Sequence, residues 1–246
     1  MTYNEIDAGC CAWLRELAKE GWIPDGQIDN RDIRDVRPED CGDVCHFFAG
    51  IGGWPYALRL AGWPDDRPVW TGSCPCQPFS GAGKELGMRD DRHLWPEWFR
   101  IIRAFRPELL FGEQVARAVG HGWIDAVFSD LEGEGYACGA TVLGAHSAGA
   151  EHVRQRIYWM AYSGSKGLEG IHRSRRGIDL QSTKVNVPRN NWKAFPEVLR
   201  AVNGVSRRLD KPPMYREQIQ ALGNAIVPPL AAEFIGAVMD ILEVRQ

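Results

Sequence analysis

The sequence predicts an α/β domain built on a doubly wound sheet. Short apolar runs alternate with amphipathic helical stretches along most of the 246 residues. A glycine turn, FAGIGG, joins one such run to a helix, and the closing stretch IVPPLAAEFIGAVMDIL is apolar enough to pack back on a sheet. The elements follow in order. Met1–Asn4 reads as a short strand and Ala12–Glu20 as a helix stopped by Gly21. Asp43–Phe48 is a strand that runs through the glycine turn into the helix YALRLAG, and Arg67–Gly72 is the next strand. It leads into CPCQPF, where Pro75 and Pro78 rule out a regular helix or central strand and leave a rigid loop. Beyond it, LWPEWFRIIRAF is an amphipathic helix, ELLFGEQV a strand and WIDAVFSDLEGEG a helix closed by glycines. ACGATVLGA and RIYWMAY are two further strands. From Ser163 to Lys211 the periodicity gives way to Gly, Ser, Asn, Arg and Lys, with one helical patch near Phe195–Val202.

Composition narrows the class. No run reaches the ~18 apolar residues of a membrane span, and the first residues, MTYNEIDAGC, lack the basic and apolar segments of a leader, so a cytoplasmic protein that meets no membrane is expected. Cysteines stand at 10, 11, 41, 45, 74, 76 and 138, an odd number that suits reduced thiols, most of them small core residues. Cys74 and Cys76 lack the second pair that a zinc site requires, so no metal is expected. The net charge of −3 hides an asymmetry: Glu151–Arg216 holds 14 Lys and Arg against 5 Asp and Glu, a local +9, which leaves −12 on the rest. A basic segment on an acidic body suits a polyanion-facing surface.

Two loops carry chemistry. FAGIGG, between a strand and a helix, offers backbone N–H groups and a close approach to a polar cofactor, although a ligand-free turn uses the same glycines and a nicotinamide enzyme is equally allowed by this loop alone. The second loop, PCQPFS, follows the next strand and should lie at the same carboxyl edge of the sheet. A rigid loop between two prolines presents its thiol rather than hiding it, and nothing in the nicotinamide-dependent dehydrogenases calls for PCQPFS.

Taken together these residues resemble the C5-cytosine DNA methyltransferases. FAGIGG is similar to that family's cofactor loop, PCQPFS to its nucleophile loop, and GEQV at 112–115 to its Glu-Asn-Val motif with Gln114 in place of asparagine. HVRQR at 152–156 is similar to its Gln-x-Arg-x-Arg motif, with His152 for glutamine, and LGNAIVPPLA at 222–231 to its final Gly-Asn motif. One departure is informative. The family carries an acidic ribose contact and an Asp-Ile adenine contact between its first two loops, whereas only 21 residues separate Gly53 from Pro75 here. YNEID at 3–7 and RDIRDV at 31–36 look like the missing segments, so the resemblance implies a Rossmann-like methyltransferase sheet that is circularly permuted, with strands two and three supplied before strand one.

The resemblance further implies a catalytic domain over 1–162, a small basic target-recognition region over 163–215 and a segment over 216–246 that packs back on the catalytic domain. It implies S-adenosylmethionine as cofactor and DNA as partner, with the target cytosine flipped out. Cys76 is the nucleophile, Glu113 holds the N3 and amino edge of the base, and Arg154 and Arg156 hold the base carbonyl and a nearby phosphate. For the cofactor, Phe48 stacks on adenine, Gly50, Gly52 and Gly53 admit the methionine portion, and Glu5, with Ile6 beside it, binds the ribose. Asp32 and Ile33 contact adenine, and Pro75 and Asn224 complete the cofactor set. Gln77, Ser80, Arg173, Arg175 and Arg176 face DNA. A different one-carbon donor, an RNA substrate, or a catalytically silent nucleic-acid-binding relative are the alternatives these residues leave open.

Overall fold

Seven strands form one mixed sheet in the order β2-β1-β3-β4-β5-β7-β6. The structure, a computed structural model, describes residues 1–75, 94–116, 118, 122–148, 154–164 and 225–242. Its strands are β1 (Thr2–Asn4), β2 (Gln27–Asp29), β3 (Val44–Phe47), β4 (Val69–Gly72), β5 (Leu109–Val115), β6 (Ala137–Gly144) and β7 (Gln155–Tyr162). Its helices are α1 (Ala8–Lys19), α2 (Gly53–Ala61), α3 (Trp95–Phe105), α4 (Trp123–Gly133) and α5 (Pro228–Ile241). The expected recognition region lies outside the described residues apart from Ser163 and Gly164.

From β2 to β5 every neighbour is parallel, while β7 runs antiparallel to both β5 and β6. If β3 is counted as the first strand, the order over the parallel half becomes 3-2-1-4-5, the doubly wound arrangement. The switch-point strand is thus third along the chain, which is the connectivity that a permutation of this sheet requires. β1 is held at its interior place by pairing on both sides and by the Tyr3 hydroxyl, which donates to the carbonyl of Pro24 at 2.6 Å.

The core follows from the pleat. Val44, Val69, Leu109, Phe111 and Tyr158 face one side, with α2 and α5, and the intervening Cys45, Trp70, Leu110, Ile157 and Trp159 face the other, with α3 and α4. On the second face Trp95 meets Trp98, Trp123 and Trp159 edge to face or tilted, at ring-centroid distances of 5.7, 6.2 and 6.0 Å. Gly72 and Gly112, partners across β4 and β5, make room for this cluster: a Cβ on Gly72 would sit 2.5 Å from the Trp98 ring, and one on Gly112 would run into Trp159. Among the described residues no helix is long and apolar enough to cross a membrane. Of the cysteines described, Cys10, Cys11, Cys45 and Cys74 are buried, Cys41 and Cys138 are half-buried, and all six are free thiols.

Candidate active site

The carboxyl ends of β1 to β5 and, because β7 is antiparallel, its amino end share one edge of the sheet. Nearly all of the candidate residues within the described part converge on that edge. α5 begins there too: Arg154 Nη2 donates to the carbonyl of Ala225 at 2.7 Å, and Ile226 packs against Gly53.

Glu5 follows β1 directly and reaches across to the glycine loop after β3. Its Oε2 accepts from the Gly50 N–H at 2.7 Å and its Oε1 from the Asp7 N–H at 2.8 Å. Burial raises the Glu5 carboxyl above the usual carboxylate range, against the pull of these two N–H groups. Ile6 beside it is 63% exposed. Asn4, to which sequence reasoning gave no role, is buried and donates through Nδ2 to the carbonyls of Asp29 at 3.3 Å and Arg31 at 3.0 Å, so it anchors the loop that carries Asp32 and Ile33. Asp32 is half-buried and paired with Arg34 at 3.0 Å. The Ile33 side chain is in the core, and Arg100 Nη2 from α3 docks this loop through the Val36 carbonyl at 2.9 Å. The Ile33 carbonyl is itself engaged, accepting from the Val36 N–H at 3.3 Å and from Arg100 Nη2 at 3.5 Å.

The glycine loop is strained where it turns. Phe48 has φ +51°, a left-handed value rare for a bulky residue, and its half-buried ring meets Trp98 edge to face at 6.1 Å. Gly50 and Gly52 also have positive φ, at 53° and 79°. Their surroundings differ. A Cβ on Gly50 would meet nothing closer than 4.0 Å, whereas one on Gly53 would lie 2.7 Å from Ile226 and one on Gly52 3.3 Å from Leu14. Gly52 and Gly53 thus satisfy the packing of the chain itself, and Gly50 is the one beside open space.

Glu113 on β5 is 5% exposed. Arg156 Nε lies 2.8 Å from its Oε1, and Ser73, just past β4, is its cross-strand neighbour, since Gly72 pairs with Gly112. Burial pushes the Glu113 carboxyl above its usual range; Arg156, Arg154 and the Ser73 hydroxyl pull it back. Burial is also the main reason that Arg154 is held below the usual guanidinium range, with the neighbouring Arg156 adding to it. A carboxyl so placed can exchange a proton with a bound base edge.

Gln114 points to the opposite face of β5. Its Nε2 donates to the carbonyl of Cys74 at 3.3 Å, while its Oε1 accepts from the Val115 N–H at 2.9 Å. The side chain that departs from the family's asparagine therefore tethers the segment leading into Pro75 and Cys76. Pro75 is exposed, and Cys74 is buried with a thiol that burial pushes up, which leaves it a packing residue. Cys76, Gln77, Ser80, Arg173, Arg175, Arg176 and Asn224 lie outside the described residues.

Comparison with known proteins places the chain by family and by fold. A family model for the C-5 cytosine-specific DNA methylase matches residues 63–212. The chain is 33% identical over 165 residues to the Type II methyltransferase M.Bsp6I of Bacillus sp. (strain RFL6), covering 65% of this chain and 43% of that protein. It is 38% identical over 96 residues to M.BanI of Aneurinibacillus aneurinilyticus, covering 37% and 22% respectively. The chain thus spans less than half the length of each of these relatives. In fold it is similar to the Entamoeba histolytica methyltransferase EhMeth, with a TM-score of 0.58 and 12% identity over 100% of this chain and 90% of that one. It is also similar to the S. pombe Dnmt2 methyltransferase, with a TM-score of 0.52 and 13% identity over 98% and 99%.

Proposed function

The chain belongs to the C-5 cytosine-specific DNA methylase family, and on that premise we propose that it is a DNA (cytosine-5-)-methyltransferase that moves a methyl group from S-adenosylmethionine to C5 of cytosine through a covalent Cys76 adduct at C6. The observation that carries this reading is the setting of Glu113, a buried carboxyl with raised proton affinity, one strand away from the loop that Gln114 tethers and that continues into Cys76. C5 of cytosine is a poor nucleophile. Addition of the Cys76 thiolate at C6 forms the C–S bond and pushes the ring electrons toward N3, where Glu113 supplies a proton, so that C5 gains enamine character. Arg156 holds Glu113 in place for that transfer. Once C5 has taken the methyl group with the enamine electron pair, loss of the C5 proton to a water base and expulsion of the thiolate would restore the C5–C6 double bond, and return of the N3 proton to Glu113 would restore the neutral base, the acid and the free cysteine.

S-adenosylmethionine supplies, when bound, an electrophilic methyl carbon. The residues at the ends of β1 and β3 fit it: a partly buried carboxylate at Glu5 to accept from ribose hydroxyls, open space at Gly50, and an aromatic ring at Phe48 for the adenine. Asp32 and the Ile33 backbone complete the adenine side, and Pro75 and Asn224 the methionine side. These residues lie at the switch point of the sheet, where doubly wound folds take their ligands. The basic region over 163–215, with Arg173, Arg175 and Arg176, takes the DNA together with Gln77 and Ser80, and the target base is extruded because C6 is hidden in a stacked duplex.

Bisulfite or enzymatic methylation sequencing of DNA from cells that express the protein tests this. The expected result is 5-methylcytosine at one short sequence context, absent with Cys76→Ala. Unmethylated DNA alongside methylated RNA from the same cells would refute the DNA assignment.

A further inference from the structure

We propose that Trp54 and Ser73 are positioning residues for Glu113: the Trp54 indole N–H fixes the Ser73 hydroxyl so that it donates to the Glu113 carboxylate, which ties that carboxylate to the glycine loop. The inference rests on the role given to Glu113 above.

Trp54 is the second residue of α2, immediately after the glycine loop, and is 3% exposed. Its ring is pinned from two strands, stacked on Phe111 at 6.1 Å and edge-on to Tyr158 at 6.2 Å. This aims the indole Nε1 at the Ser73 Oγ, 3.0 Å away. An indole N–H only donates, so the Ser73 oxygen must accept there and its single proton is left to be given elsewhere. Gly72 pairs with Gly112 in the parallel β4–β5 ladder and both face the tryptophan cluster, so the next residues, Ser73 and Glu113, stand side by side on the opposite face, and the Glu113 carboxylate is the acceptor within reach of that proton. The groups that face Glu113 are Arg156 and Tyr158 from β7, Arg154 just before that strand, and Ser73 from the end of β4. The arginines act by charge. Ser73 and Tyr158 are the neutral hydroxyls in this set, and of the two Ser73 connects, through one indole, to the residues beside Gly52 and Gly53.

A donor aimed at a carboxylate favours its ionised form, so removing it raises the carboxyl's proton affinity. A polar hydroxyl buried in front of a carboxylate serves packing no better than a methyl group, and the sequence alone offers no reason for serine before CPC. The glycine loop and the base-recognising carboxyl are therefore joined by one oriented hydrogen-bond chain, and a shift of α2 on cofactor binding would reach Glu113 through it.

The test is an infrared titration of the full chain, following the protonated-carboxyl stretch assigned to Glu113 by its disappearance in Glu113→Gln. Ser73→Ala should raise the midpoint by about one pH unit, the size expected for losing a hydrogen bond to a charged group. Ser73→Thr, which keeps the hydroxyl, should restore it, and Trp54→Phe, which keeps the ring packing and loses the N–H, should move it the same way by less. The alkaline limb of the kcat profile for methyl transfer should move with it. An unmoved midpoint in Ser73→Ala overturns the proposal, and a moved one with Trp54→Phe unchanged overturns the indole's part. Because the titration reads the carboxyl and not methyl transfer, a chain that titrates as expected yet leaves DNA unmethylated would refute the proposed function and not this coupling.

Discussion

Replacing Glu5 by alanine probes the permuted half of the sheet. Glu5 follows a strand of three residues held between β2 and β3, and both of its carboxylate oxygens are engaged, Oε2 with the Gly50 N–H at 2.7 Å and Oε1 with the Asp7 N–H at 2.8 Å. Two losses follow. The Gly50 N–H loses its acceptor, which costs about 1 kcal/mol where water can reach the site, or a fall in Tm of roughly 2–4 °C for a chain of this size. The ribose hydroxyls of the cofactor lose a charged acceptor, worth about 1.5–3 kcal/mol, or about tenfold to a hundredfold in affinity. DNA affinity should change little. The carboxyl accepts with both oxygens, and as a charged acceptor, only when ionised, and burial has raised its proton affinity, so in the wild type cofactor affinity should begin to fall on acidification at a pH above that of an ordinary glutamate. Glu5→Ala should lose that acid limb. Isothermal titration with S-adenosylmethionine and its demethylated product decides: an affinity within twofold of wild type, with the acid limb intact, means that YNEID does not bind the ribose.

Cys76→Ala should abolish methyl transfer while cofactor affinity and the unfolding midpoint stay near wild type; Cys74→Ser should keep transfer, since Cys74 is buried and has no chemical role, and equal loss in both would restore a shared role for the pair. Gln114→Ala removes the 3.3 Å bond to the Cys74 carbonyl and should lower kcat about threefold to tenfold with cofactor affinity unchanged, Gln114→Asn falling between, as single-turnover kinetics would read. Neutralising Arg173, Arg175 and Arg176 together should flatten the salt dependence of duplex binding by about 0.9 in log-log slope for each lost phosphate contact, and an unchanged slope would put the DNA on another surface.

The sequence by itself determined the long elements and the chemical inventory. α3, β5 and β7 have strong periods, and their expected and observed spans agree to within a residue or so at the ends, while α5 is the apolar helix expected in the closing stretch. α1 starts at Ala8, ahead of the expected Ala12, because the Asp7 side chain caps it by accepting from the Cys10 N–H, while the small residues of its first turn carry no periodic signal. β2 has three residues and no pattern of its own; only pairing with β1 makes it a strand. The motifs GEQV, HVRQR and CPCQPF supplied the candidate side chains, since residue type and order survive without coordinates. What tertiary structure alone decided is which groups touch: Glu5 and Gly50 are 45 positions apart, Gln114 and Cys74 are 40 apart, and Trp54 reaches Ser73 across 19. Those contacts come from the order in which β1, β3, β4 and β5 pair, a non-local choice that local periodicity cannot encode. Burial, which sets the proton affinities of Glu5 and Glu113, is likewise a property of the assembled edge and not of either residue.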